Sequence, residues 1–211
     1  MFIYDLANLF VILIVILVSF RLGLIPLWLS CFLCLFAFTP FFLNEVLFPA
    51  GYMPDQFQYY NVSKGIRSLA LDSFSESGTV ESASWMLAMI PLPYIETIQS
   101  LGFFNRFLVT VLSIWLYSSK NLRGWPLLFM VFYPSLLLYS SLALRDTLVL
   151  IFMLLSVIFF IENRRLLAVI TAFPLLFFKF QNFLLVIVFF VVHLYFSRDS
   201  FIHRYRYMFL I

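Results

Sequence analysis

The sequence predicts an all-α protein, a polytopic bundle of about seven transmembrane helices with one long extracytoplasmic loop between the second and third spans. Three observations lead there. The apolar set makes up 64% of the 211 residues and charged residues 11%, where a soluble domain runs near about 45–50% and about 25%. The mean hydropathy is +1.05, 29 residues are Phe, and apolar runs recur along nearly the whole chain. Together these exclude both a soluble globular protein and a single anchor carrying a soluble domain. Lastly, the sizeable polar stretch is confined to residues 49–102, so 1–211 reads as a single integral membrane domain with 49–102 as a loop packed on it.

The elements follow in order. The N-terminal run has no Lys or Arg before it, carries Asp5, and shows no small-residue cleavage site, so 6–21 reads as a retained span and not a signal peptide. Further spans are expected at 26–48, 103–119, 125–142, 146–161, 166–179 and 183–197. The stretch 83–95, ASWMLAMIPLPYI, is too short to cross and holds Pro91 and Pro93, so it reads as a surface-lying or re-entrant piece. Cys31 and Cys34 have apolar flanks that disfavour thiolates, and read as small hydrophobes inside a helix. His193 and His203 have no second ligand at a useful spacing, so neither a metal site nor a cofactor is expected.

Charge is read by side of the membrane. The formal net charge of +3 is too slight and dispersed for a nucleic-acid partner. In the long loop Asp55, Asp72, Glu76, Glu81 and Glu96 outnumber Lys64 and Arg67, which places it outside. The cytoplasmic connections then hold Arg21, Lys120, Arg123, Arg164, Arg165, Arg198, Arg204 and Arg206 against Glu162 and Asp199. That is the positive-inside pattern, and it makes the N-terminus extracytoplasmic.

The loop is too small for a generous core and lacks a cysteine framework, so it must fold against the bundle. Its opening, FPAGYMPDQFQYYNVSKGIRSL, combines Gly51 and Pro54 turn chemistry with a segment that continues as a helix. On that helix Asp55 and Tyr59 share a face at i and i+4, and Tyr60, Lys64 and Arg67 follow at helical offsets. A solvated amphipathic helix would give the same spacing.

Two later interruptions carry charge at a depth where lipid is expected. Arg145-Asp146 is the ionic break in the apolar tract 124–161, and Lys179, Gln181 and Asn182 break the tract from 166 to 197. Both fall on the outer side by the topology above. Asp146 capping the next helix while Arg145 snorkels would be the plain account, but charge at this depth usually faces a bundle interior or polar cavity. With the long loop on the same side, Arg145 and Lys179 suggest a site for an anion, and a phosphate-bearing membrane lipid is the natural ligand.

These residues resemble the EpsG and Wzy-like polysaccharide polymerases, membrane glycosyltransferases of the GT-C type. The likeness lies in the helix pair followed by GYMPDQFQYY, in YPSLLLYSSLALRD at an outer turn, and in the KFQN break. Gly51, Asp55 and Tyr59 take the place of the family's glycine, aspartate and tyrosine, and Arg145 that of its later arginine. The chain departs from the family at Asn44 and Glu45, where a basic residue is common, and at Asp146, where Gln is frequent. The resemblance implies an enzyme of the bacterial inner membrane that joins polyprenyl-pyrophosphate-linked saccharide repeats at the extracytoplasmic face, alongside other polysaccharide-assembly proteins. It implies that Asp55 is the base, with Asp72 or Glu76 as substitutes, and that Arg145 stabilises the departing pyrophosphate with Lys179 and Arg67 sharing its charge. Tyr59, Tyr60 and Trp85 would face sugar rings, and Lys64, Asp146, Gln181 and Asn182 would complete the binding surface. The final YRYMFLI reads as the start of another span, and such polymerases generally have more than seven, so a fragment and a whole chain both stay open. The alternative is a non-enzymatic subunit or transporter that binds an anionic lipid or solute through the same cations.

Overall fold

A computed structural model describes residues 2–44, 46–47, 49–69 and 78–196. Glu45, Asp72, Glu76, and the tail with Arg198, Asp199, His203, Arg204, Arg206 and YRYMFLI lie outside the described residues. Among those described every regular element is helical. The chain divides into two compact units, Met1–Leu148 and Val149–Ile211.

In the first unit, α1 (Phe2–Arg21) carries Asp5 in its first turn and Arg21 in its last, the arrangement that complements the helix dipole. It stops at Gly23, whose φ of +70° suits glycine. There Gly23 N–H bonds the Phe20 carbonyl and Leu24 N–H the Ser19 carbonyl, a Schellman closure. Pro26 then precedes α2 (Leu27–Ala37), followed by α3 (Thr39–Leu43), α4 (Asp55–Arg67) and α5 (Gly78–Ala88). The long α6 (Ile98–Ser118) starts on a capping box between Thr97 and Ser100. Two short helices follow, α7 (Trp125–Phe132) and α8 (Pro134–Tyr139). The first turn of α9 (Asp146–Ile161) closes the unit.

Helix α6 is the post of this unit, buried along most of its length, with α1, α2, α3, α4, α5 and α7 packed on it. Asp5 of α1 accepts hydrogen bonds from the Thr97 and Ser100 hydroxyls, and Asn8 donates to the Tyr94 carbonyl. The starts of α1 and α6 therefore lie at one end. Trp28 at the start of α2 meets Tyr117 near the end of α6, which marks the other. On another side α1 exposes Phe10, Ile14, Leu17 and Val18, an apolar surface on a helix long and apolar enough to cross a membrane.

The second unit holds the rest of α9 with α10 (Arg165–Ala172), α11 (Leu175–Phe178) and α12 (Phe180–Phe196). It is joined internally by stacked Phe160 and Phe190 rings, 4.1 Å between centroids, and by a hydrogen bond between the Ser156 and Thr171 hydroxyls. Asn163, at φ +61°, reverses the chain after α9. His193 rests against Phe160 and Phe189.

Seven unbroken spans are not what forms. Among the described residues two helices, Tyr4–Arg21 and Ile98–Ser118, are long and apolar enough to cross a membrane. The expected spans 26–48, 125–142 and 166–179 are each split. A proline stands at each break, Pro40 at the start of α3, Pro134 at the start of α8 and Pro174 before α11, because proline supplies no N–H and crowds the preceding turn. The expected surface piece 83–95 is also two things, the end of α5 and a bent, irregular stretch containing both prolines.

Candidate functional site

The first unit's site is built around the reversal that joins α8 to α9. Ser140, Ser141, Leu142, Ala143 and Leu144 are all buried, yet they lie between helices. Away from water, irregular backbone survives only where protein supplies its hydrogen bonds. Asn105 of α6 does so through Nδ2, donating to the carbonyls of Leu142 at 2.6 Å and Leu144 at 2.7 Å. Gln56 of α4 accepts the Ala143 N–H on Oε1 at 3.0 Å, and that oxygen also accepts from Asn44 Nδ2 at 3.3 Å. Gln99 Nε2 donates in turn to the Asn44 carbonyl. Beneath the reversal, Arg106 Nη2 donates to the Leu137 carbonyl at 2.9 Å and to Ser141 Oγ at 2.7 Å. Gly102 lies so close that a Cβ there would collide with the Ser141 carbonyl.

This network presents Arg145. Its side chain is half-buried, and its Nη1 is withdrawn from solvent without a hydrogen-bond partner. Asp146 begins α9, where a carboxylate suits the positive end of the dipole. Tyr59 of α4 is 4% exposed. Burial pushes its hydroxyl up to about 12, Arg145 draws it down, and Asp146 and Asp55 push it up. Asp55, Tyr59, Arg145 and Asp146 thus share one electrostatic neighbourhood, with Asp55 exposed at the first turn of α4.

A pH prediction follows from Tyr59. Its folded-state pKa stands above the unfolded value of 10.0, so its contribution is complete below pH 10.0 and is lost as pH rises through about 12. Tyr59→Phe is expected to flatten the fall of Tm across that window, measured in detergent.

The remaining loop residues face elsewhere. Tyr60 donates to the Glu96 carbonyl at 2.9 Å. Lys64 Nζ donates to the Tyr60 hydroxyl at 3.2 Å and pairs with Glu96 at 3.1 Å, contacts that raise its pKa, the Tyr60 bond first. Arg67, expected to share an anion's charge, turns its guanidinium into the loop. Nε, Nη1 and Nη2 donate to the carbonyls of Ala88, Leu92 and Ile90, and the group lies over the Phe104 ring. It closes the bent stretch after α5 and fixes α4 to it. Trp85 is exposed on α5.

Lys179, Gln181 and Asn182 belong to the second unit. The break there narrows to Lys179, whose extended backbone (φ −161°) separates α11 from α12, while Gln181 and Asn182 fall in the first turn of α12. The Lys179 carbonyl accepts the Asn182 N–H at 2.9 Å.

No protein-family model, curated protein or solved structure matches the chain. The site therefore rests on its own chemistry. Among the described residues no three of His, Cys, Asp and Glu come together as a metal-binding group. Of the polar residues in this network, Asn44 enters the sequence reading as a departure from the family pattern, and Gln56, Asn105 and Arg106 have no place in it. The signal for two of them was present, since Asn105-Arg106 interrupts LGFFNRFLVTVL, and an ionisable residue in such a run is a site candidate by default.

Proposed function

We propose that the chain is an integral protein of the bacterial inner membrane that joins polyprenyl-pyrophosphate-linked oligosaccharide repeats at the extracytoplasmic face. The observation that carries the reading is Arg145, a guanidinium placed on a reversal held by the side chains of Asn105, Gln56 and Arg106, with its Nη1 withdrawn from water and without a partner. Such a donor is suited to a phosphate oxygen, for which the planar fork of arginine is the best protein ligand. In this reading α2–α3, α7–α8 and α10–α11 are broken crossings, which with α1, α6, α9 and α12 make seven, the N-terminus outside. The acceptor sugar hydroxyl attacks the anomeric carbon of the donor, its proton passes to Asp55, and the bond to the pyrophosphate oxygen breaks. Arg145 stabilises the negative charge that appears on the departing polyprenyl pyrophosphate, and Tyr59 borders the site beside Asp146. Arg67 and Lys64 are spent on the loop's own carbonyls and on Glu96, and are assigned to shaping it.

The same guanidinium also supports a second reading, a non-enzymatic protein that holds an anionic lipid or solute, because Asp55 is exposed while the arginine is partly withdrawn. Asp55→Asn separates the two. An enzyme is expected to lose polymer length at normal membrane abundance while lipid-linked repeats accumulate. Unchanged chain lengths would remove Asp55 as base and favour the binding protein.

A further inference from the structure

Arg106 is 2% exposed in the middle of α6. Its hydrogen bonds go to a carbonyl and a hydroxyl, and its Nε is buried without a partner. Withdrawing a cation from water costs several kcal/mol unless it is fully compensated, and apolar replacements of similar volume are often neutral or stabilising. The helix would form with Met or Leu at this place, so stability does not account for the arginine. What an apolar side chain cannot do is hold two acceptors one turn apart. The Leu137 carbonyl is among the last of α8 and also accepts the Ser141 hydroxyl at 2.8 Å, a bond that survives without the arginine, and Ser141 opens the reversal. Thr39 Oγ1 meets the same Ser141 hydroxyl at 2.9 Å, so the anchor reaches α3 as well. With its neighbour Asn105 on Leu142 and Leu144, Arg106 grips the segment from 137 to 144, and Arg145 is the next residue.

We propose that Arg106 is a positioning residue for Arg145, holding from the core side the reversal that presents its guanidinium to the ligand. The inference rests on the reading of Arg145 as an anion-binding group. Its test has two arms, on the full chain purified in detergent. In the first, Arg145→Cys is labelled with a charged methanethiosulfonate in a background with Cys31 and Cys34 replaced by Ser, with and without Arg106→Met. In the second, farnesyl pyrophosphate is titrated against wild type, Arg145→Gln, Arg106→Met and Arg106→Lys.

The expected result is an unchanged or raised Tm for Arg106→Met together with a severalfold change in labelling rate. Affinity for farnesyl pyrophosphate falls by about tenfold, the scale of one misaligned charge-assisted contact, and is partly restored in Arg106→Lys. Equal labelling rates with and without Arg106→Met overturn the proposal, as does wild-type affinity in Arg106→Met. If Arg106→Met does not fold, Ser141→Ala removes one anchor and keeps the cation, and an unchanged labelling rate there has the same force. A wild type that does not bind farnesyl pyrophosphate, with labelling still shifted, removes the anion reading and leaves Arg106 in its positioning role.

Discussion

Arg145→Gln is expected to collapse the length distribution of the surface polysaccharide while the variant stays in the membrane at wild-type level. The residue ends a reversal whose own hydrogen bonds run through Asn105, Gln56 and Arg106, so its side chain is not what holds the fold. Gln keeps length and polarity and removes the charge, and loss of a cation that stabilises a leaving group lowers rate by about a hundredfold or more. Arg145→Lys keeps the charge and loses the fork, so its loss is smaller but clear. A snorkelling anchor predicts no loss of polymer length in either variant, with Lys almost neutral. Unchanged chain lengths for Arg145→Gln at normal abundance would remove the catalytic reading.

Much of the helical class was legible because composition and run length alone decide it, and the two long helices fall close to where the hydropathy placed spans. The breaks were less legible, since an average over a window of apolar residues does not register that Pro40, Pro134 or Pro174 interrupts a hydrogen-bond ladder. Arg145 stood out as charge within an apolar tract, and the structure gives the reason it can lie there: the backbone around it is satisfied by side chains from α4 and α6. Those partners were hidden for two different causes. Gln56 sits next to Asp55, and the helical spacing singles out charged and aromatic positions, whereas the buried face runs through Gln56, Tyr59, Ser63 and Ile66. Asn105 and Arg106 were absorbed into a span that was apolar on average. The fate of Arg67 was not legible at all, because its acceptors are carbonyls at Ala88, Ile90 and Leu92, and no side-chain pattern advertises a carbonyl.

The sharpest loss of stability is expected at Asn105, and it distinguishes a reversal held by side chains from one that is merely enclosed. Its amide is the donor to both Leu142 and Leu144, and the Leu142 carbonyl otherwise accepts only the tight bond from the Leu144 N–H among the loop bonds. Asn105→Ala removes two buried donors at once. At about 1–3 kcal/mol for each buried group left short of a partner, the sum is a large share of the about 5–15 kcal/mol that holds a domain, so membrane abundance and Tm in detergent should both drop sharply. Asn105→Asp keeps the shape and sets carboxylate oxygens against two carbonyls, which turns attraction into repulsion in a site closed to water, and is expected to be worse than Ala. Enclosure alone makes the reverse forecast, with Ala worse because it leaves a cavity and Asp, entering protonated at the same volume, the milder of the two. A wild-type Tm for Asn105→Asp would mean that packing around Gly102 and Ser141 holds the reversal, and that the position of Arg145 does not depend on the amide beneath it.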